Sequence, residues 1–303
     1  CALFDTTLNA DDHRLSADEL RAALRDHDAV LPTVSDRLDA GVLAVEAPRA
    51  RILANYGVGY SHIDLDAARE RGLVVTNTPG VLTDCTADLA LTLMLMVARR
   101  AGEGERELRA GRWTGWRPTH LVGTRLSGKT LGIIGMGRIG IAVARRAQHG
   151  FGMQVVFFNR SPVAAEALAG LQATQLERVE DVLAQADFVS LHCPGGGANR
   201  HLIDAARLAV MKPGAFLINT ARGDVVDEAA LAAALQHGRL AGAGLDVFEA
   251  EPQIHPGLLA LENVVLLPHL GSATRETREA MGMRVVDNLV AFFDGRRPPD
   301  QVS

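Results

Sequence analysis

Three short segments carry residue types suited to moving a proton and holding an anion. They are Ile218-Asn219-Thr220-Ala221-Arg222-Gly223, then Gly244-Leu245-Asp246-Val247-Phe248-Glu249-Ala250-Glu251-Pro252, then Leu267-Pro268-His269-Leu270-Gly271-Ser272. Each follows a short apolar run that reads as a strand, and ligands of open α/β folds bind where parallel strands finish. Taken singly, each has a plain structural alternative: an arginine closing a turn, a glutamate opening a helix, a histidine capping one. Downstream of a dinucleotide-binding loop, they are together the parts that carbonyl reduction needs.

Such a loop lies upstream. Leu131-Gly132-Ile133-Ile134 has the pattern of a strand buried on both faces. It breaks into Gly135-Met136-Gly137-Arg138-Ile139-Gly140, and residues 141–146 continue with helical periodicity. In a strand, Gly-x-Gly-x-x-Gly, helix unit, the first glycine permits the tight turn and the second lets a pyrophosphate approach. The third allows close helix–strand packing, and the helix N-terminus offers N–H groups to the anion. The spacing alone is weak in a chain with 30 glycines; the flanking strand and helix give it meaning.

About twenty residues on, the next strand ends at Phe158-Asn159-Arg160-Ser161. An NAD-specific site places a carboxylate here for the ribose 2′-OH. Asn159, Arg160 and Ser161 instead suit a 2′-phosphate, which a guanidinium can pair with and a hydroxyl can donate to. The expectation is NADP(H) preferred over NAD(H). The alternative is a solvated surface arginine with looser NAD use.

The elements that must position these groups follow from the pattern of the chain. Its 303 residues allow two domains, and 48% hydrophobic with 22% charged residues is ordinary for an α/β protein. A net charge of −5 without a basic run argues against nucleic acid or an anionic membrane as partner. The apolar run at 89–98 is too short to span a bilayer and ends in Arg99-Arg100. No signal peptide is evident, and Cys1, Cys85 and Cys193 are widely spaced, so a cytoplasmic, reducing setting is expected. The ten histidines are scattered, and no metal is expected.

Residues 17–25 read as a helix entered through Ser16, with Glu19 completing a capping box. Strands are expected at 29–33, 51–56 and 73–76, with a short helix at 66–71 closed by Gly72. Residues 83–100 read as one long helix, apolar almost all round and therefore buried between domains or subunits. After the strand at 131–134, strands at 155–158, 188–191, 215–219, 242–246 and 264–267 alternate with helices at 163–169, 178–185, 205–210 and 228–236. That alternation predicts an α/β fold with a doubly wound parallel sheet. A last helix at 274–293 is expected to run back onto the first domain. The expected domains are 82–273 for the dinucleotide and 1–81 with 274–303 for the substrate, with a cleft where the two long helices cross.

The chain resembles the D-2-hydroxyacid dehydrogenase family, most closely its glyoxylate/hydroxypyruvate reductase branch. The resemblance runs through Asn55-Tyr56-Gly57-Val58-Gly59-Tyr60, residues 76–84, Gly111-Arg112-Trp113-Thr114-Gly115-Trp116, the glycine loop, 219–226, 244–252 and 268–274. It implies a Rossmann nucleotide domain inserted in a smaller flavodoxin-like substrate domain. The family has a further first strand that this sequence, opening at Cys1, is expected to lack.

The resemblance also implies roles. His269 would be the general acid, Glu251 its carboxylate partner, and Arg222 the group that polarises the carbonyl and holds the substrate carboxylate. Asp246, the rival partner for the histidine, faces the nicotinamide carboxamide in the family, and Glu249 is left as surface. The N–H groups of Val58 and Gly59 would bind the substrate carboxylate. Thr86, Cys193, Pro194, Thr220, Ala221 and Gly271 would line the cofactor. The stretch Pro194-Gly195-Gly196-Gly197 is richer in glycine than the family pattern, and a mobile rim is expected there. His62, His120, His149, His192, His201 and His237 show no partner pattern and are expected to be surface or structural.

By the same resemblance the segment with Trp113 and Trp116 would lie at a homodimer interface, Trp116 reaching the partner's substrate pocket, with core packing the alternative for either one. The homodimer is expected to be built on residues 83–100. The substrate expected is a small 2-oxo or 2-hydroxy acid. Phosphoglycerate- or D-lactate-type enzymes and a corepressor-like dinucleotide sensor are the alternatives, separable by turnover on a panel of 2-oxo acids.

Overall fold

A computed structural model describes residues 3–302, so Cys1 lies outside the described residues. Two compact units emerge, one running to Val81 and resuming at Arg278, the other Leu82–Thr277.

In the first unit β1 (Ala29–Val30), β2 (Ile52–Ala54) and β3 (Val74–Thr76) form a parallel sheet in that order. The strands are shorter than expected. Pro32 has no N–H to continue a ladder, and its carbonyl instead takes the Tyr56 N–H at 2.8 Å. Helix α1 (Ala17–Asp26) has the anticipated capping box: Ser16 Oγ accepts from Glu19 N, and the Glu19 carboxylate accepts from Ser16 N at 2.8 Å. Helices α2 (Ala40–Leu43) and α3 (Leu65–Glu70) are capped by Asp39 and Asp64. Leu20, Leu24, Leu38, Leu43, Leu53 and Val75 make the core on one side of the sheet. On the other, Ile52 and Ala54 pack on Val285 and Leu289 of the last helix, Arg275–Phe293.

The second unit opens with α4 (Thr83–Ala98) and α5 (Ala101–Arg109). The expected single helix over 83–100 is interrupted because Arg100 is left-handed at φ 54°. The apolar face of α4 is covered within its own unit: Leu93, Met94 and Val97 share a core with Leu131, Ile133 and Phe216. Placing that helix between domains or subunits is therefore not needed to explain its composition.

The sheet of this unit contains β4 (Thr130–Ile134), β5 (Gln154–Phe158), β6 (Ala173–Gln175), β7 (Phe188–Leu191), β8 (Phe216–Asn219), β9 (Gly242–Leu245) and β10 (Val264–Leu266). It has seven parallel strands in the order β10-β9-β8-β7-β4-β5-β6. Helices α6 (Arg138–Phe151), α7 (Val179–Gln185), α8 (Ala205–Val210), α9 (Glu228–Gln236) and α10 (Pro256–Leu259) connect them. The chain winds outward from β4 to β6 and then from β7 to β10, so its direction reverses between β4 and β7. Such a switch point is where doubly wound sheets bind nucleotides.

The helix expected over 163–169 does not form. Pro162 precedes it, only i→i−3 bonds such as Ala167 N to Ala164 O appear, and Gly170 turns the chain at φ 79°. Strand β6 went unforeseen because Ala-Thr-Gln, largely exposed at the sheet edge, has no apolar period. Among the described residues no helix is long and apolar enough to cross a membrane, and no cluster of His, Cys, Asp or Glu could hold a metal ion.

Candidate active site

The strand register gathers the chemistry at one edge. Ile134 pairs with Phe158 and Leu191, Leu191 with Asn219, Asn219 with Leu245, and Leu245 with Leu266. The residues that follow are Gly135, Asn159, His192, Thr220, Asp246 and Leu267, so all the expected motifs of this unit leave the sheet together.

The three glycines of the loop do different work. Gly135 is left-handed at φ 97°, and a β-carbon there would lie 2.7 Å from Cys193 N. At Gly140 it would lie 2.4 Å from Gly135 O, so α6 packs tightly on its own turn. A β-carbon at Gly137 would meet nothing within 4 Å, and α6 has no side-chain N-cap. The helix therefore starts with free N–H groups beside open space, which fits the pyrophosphate of a dinucleotide. The buried Thr220 Oγ1, which has no hydrogen-bond partner among the described residues, is a second polar group there that a ribose or nicotinamide could satisfy.

Asn159 braces this loop. Its Oδ1 accepts from Met136 N at 3.2 Å and its Nδ2 donates to Ser161 O at 3.0 Å. Arg160, Ser161 and Arg138 are exposed around it. Burial pushes the Cys193 thiol up to about 11, so it stays protonated at neutral pH. The His192 ring, donating to or accepting from Ser190 Oγ at 2.8 Å, is held down to about 4 by burial.

At the far strands, His269 Nδ1 stands 2.9 Å from Glu251 Oε2. Burial alone would raise the Glu251 carboxyl; the His269 hydrogen bond and charge, the Phe248 N–H at 2.9 Å and the Arg222 charge outweigh it and hold it below its ordinary value. His269 itself is in the left-handed region at φ 55°, a strained state for a non-glycine residue. Asp246 enforces it. Its main-chain O accepts from His269 N at 2.9 Å, and its carboxylate accepts from Leu270 N at 2.6 Å and Gly271 N at 2.8 Å. Thr86 Oγ1 donates to Gly271 O at 2.8 Å, fixing the same loop from α4.

Arg222 leaves β8 through a turn stapled by Asn219, whose Oδ1 accepts from Ala221 N and whose Nδ2 donates to Arg222 O. Sequence reasoning places Asn219 within its segment but gives it no role; a buried Asn ending a strand is the available signal. A β-carbon on Gly223 would fall 1.8 Å from the Phe248 carbonyl carbon. The absence of one lets the Arg222 turn abut the segment that carries Glu251. Burial lowers the Arg222 pKa against the opposing fields of Glu251 and Asp224. Among the described residues no carboxylate pairs with its guanidinium, whose Nη1 donates to Ala221 O at 2.6 Å.

Glu249, expected as bare surface, is instead half-buried, accepting from Arg200 at 2.6 Å and bonded to His201 Nε2 at 2.8 Å. His62, His120 and His237 also have partners that sequence did not indicate: Asn55 Oδ1, Glu107 and Ala233 O.

In the first unit, the loop after β2 turns its carbonyls inward. Asn55 Nδ2 donates to Gly57 O and Gly59 O, Asn77 Nδ2 to Val58 O, and Thr78 N to Gly57 O. Among the described residues neither Val58 N nor Gly59 N has an acceptor, which leaves two adjacent donors for an anion.

Because the folded Glu251 carboxyl lies below its unfolded value, its ionised form contributes stability above the ordinary carboxylate range. That contribution is lost as pH falls through the lowered folded value. Glu251→Gln should therefore have a lower thermal midpoint than the wild type at neutral pH. The gap should close as the buffer is taken below pH ~4, the range in which a free Glu protonates.

A parallel sheet with a glycine-loop helix start at its switch point, and a His–Glu pair and an arginine farther along the same edge, defines a dinucleotide-dependent oxidoreductase domain. Comparison with known proteins narrows this. Residues 91–271 match the model described as D-isomer specific 2-hydroxyacid dehydrogenase, NAD binding domain. The chain is 48% identical over 286 residues to a glyoxylate reductase of Thermococcus litoralis, covering 92% of this chain and 85% of that one. It is 45% identical to the glyoxylate reductase of Pyrococcus furiosus, covering 99% and 89%. Among solved structures, an NADPH-dependent glyoxylate/hydroxypyruvate reductase from Sinorhizobium meliloti in complex with NADP and malonate matches with a TM-score of 0.85. It is 40% identical, with 95% of this chain and 88% of that one covered.

The chain belongs to the D-isomer-specific 2-hydroxyacid dehydrogenase family. It is an NAD(P)-binding oxidoreductase of α/β fold.

Proposed function

We propose that the chain reduces glyoxylate and hydroxypyruvate to glycolate and D-glycerate with NADPH. The observation that carries this reading is the Glu251–His269 pair at 2.9 Å, at the same sheet edge as Arg222, which among the described residues has no carboxylate partner. A bound reduced nicotinamide supplies the hydride. Gly135–Gly140 with Arg138 and Ile139 receive the pyrophosphate, and Thr220, Ala221, Gly271, Cys193 and Pro194 border the rest of the dinucleotide. Asp246, besides anchoring the His269 loop, keeps lone pairs for a carboxamide.

Arg222 holds the 2-oxo acid by its carboxylate and draws charge toward the carbonyl oxygen, where a planar fork of donors suits both tasks. The Val58 and Gly59 N–H groups are assigned to the substrate carboxylate. As the carbonyl oxygen becomes an alkoxide, His269 Nε2 delivers its proton. Glu251, accepting from Nδ1–H, orients the ring and steadies its doubly protonated form, the one that also carries a proton on Nε2.

Arg160 and Ser161 are exposed where the 2′-position of an adenosine ribose would fall, and no acid stands in that turn to repel a phosphate. Arg160→Ala should raise KM for NADPH by about 10–100-fold, the worth of a charge-assisted hydrogen bond, and leave KM for NADH nearly unchanged. The exposed Trp113 and Trp116, with Leu108 and Val122 nearby in sequence, are the surface we assign to a homodimer.

The whole reading is tested by kcat/KM for glyoxylate, hydroxypyruvate, pyruvate and a phosphorylated 2-oxo acid, each with NADPH and NADH. Highest values for the first two acids with NADPH are expected. A preference for NADH, or for the phosphorylated acid, contradicts it.

A further inference from the structure

The segment after β7 reads Pro194-Gly195-Gly196-Gly197, and the structure ties it down. Asn199 Nδ2 donates to Pro194 O at 2.9 Å, and Gly196 N donates to Asp224 Oδ2 at 2.7 Å. Asp224 lies in the short turn Gly223–Val225, two residues past Arg222, and its main-chain O takes the His201 N–H at 2.7 Å. Gly195 is in direct contact with the arginine. A β-carbon there would lie 2.9 Å from Arg222 Cβ, 3.0 Å from its Cγ and 2.4 Å from Asp224 Oδ1. No left-handed backbone explains this glycine; only the closeness of its neighbours does.

We propose that Gly195 and Asp224 are positioning residues for Arg222: the Asp224 carboxylate pins the glycine segment by the Gly196 N–H, and the bare face of Gly195 then forms a wall against the arginine's stem. Gly223, next in the chain, is closed on the Phe248 backbone, which holds the turn that carries the arginine. A flexible side chain held against a fixed backbone surface loses less rotamer freedom when it engages a substrate, which is how preorganisation raises affinity. Asp224 also adds negative potential near the guanidinium without pairing to it, so the donors of Arg222 stay available. This inference rests on the assignment of Arg222 to the substrate.

The test is a set of variants of the whole enzyme: Asp224→Ala, Gly195→Ala, Arg222→Lys and the double variant Arg222→Lys/Asp224→Ala. For each, kcat and KM for glyoxylate are measured, together with the NADPH dissociation constant by fluorescence and the thermal midpoint. Asp224→Ala and Gly195→Ala should each raise KM for glyoxylate about tenfold or more, the order expected for a displaced binding group, with NADPH affinity held within about twofold. In the Arg222→Lys background the Asp224→Ala step should shrink to less than about threefold, because residues that act through one another are not additive.

Wild-type KM in both single variants overturns the inference. So does an equal loss from Asp224→Ala in the wild-type and Arg222→Lys backgrounds, or NADPH affinity falling in parallel with KM. If Gly195→Ala fails to fold, Asp224→Ala and its double variant decide. Should Arg222→Lys itself keep wild-type kcat and KM, the assignment of Arg222 fails and the inference with it; a damaged Arg222→Lys beside a normal Asp224→Ala sinks the inference alone.

Discussion

Replacing His269 with alanine should lower kcat by ~10²–10⁴-fold, the usual contribution of a positioned general acid, with NADPH binding unchanged. The separation follows from where the residue sits. His269 is carried by a loop after β10, whereas the helix start we assign to the pyrophosphate lies after β4, and the hydrogen bonds that hold the glycine turn there do not involve residue 269. The loop should survive the change, because Asp246 bonds to the main chain of 269, 270 and 271 and not to the imidazole. Steady-state kinetics with glyoxylate, alongside NADPH titration by fluorescence, checks it. A variant with near-wild-type kcat would remove His269 from the chemistry.

Arg222→Ala should be at least as damaging to kcat/KM, because one side chain is assigned two tasks. Removing a donor to a developing oxyanion costs ~10²–10³-fold, and the loss of a charged partner for the substrate carboxylate adds about 1.5–3 kcal/mol more. The expected total is a fall of ~10³-fold or greater, divided between kcat and KM, whereas the His269 variant should lose mainly kcat. Arg222→Lys should recover only part, since an ammonium cannot reproduce the planar fork. Equal KM values for glyoxylate in wild type and Arg222→Ala would contradict the assignment.

Much of this was legible in the residues. Six of the seven strands of the large sheet, all but the exposed edge strand β6, are legible as apolar runs because a parallel sheet is covered on both faces and leaves no alternation to misread. The glycine loop was legible for a related reason: its spacing encodes steric demands, and the structure shows those demands at Gly135 and Gly140. Arg222, Glu251 and His269 stood at strand ends, where topology gathers ligands.

What sequence did not reveal was hydrogen bonding between segments distant along the chain. Sequence offers Asp246 as a partner for the histidine or the nicotinamide, and its grip on Leu270 and Gly271 depends on register between β9 and β10. Glu249 looked like surface because its partners, Arg200 and His201, lie almost fifty residues away. The turns at 163–169 carry helix-favouring alanines, but only i→i−3 bonds form there before Gly170 turns the chain.

The central claim is that Arg222 and His269 act on the 2-oxo acid itself. A crystal structure of the enzyme with NADP+ and oxamate, an unreactive 2-oxo acid mimic, tests this most directly. His269 Nε2 is expected within ~2.6–3.2 Å of the carbonyl oxygen, with the Arg222 guanidinium on the carboxylate. Oxamate bound beside the nicotinamide, with both side chains turned away from it, would contradict the claim.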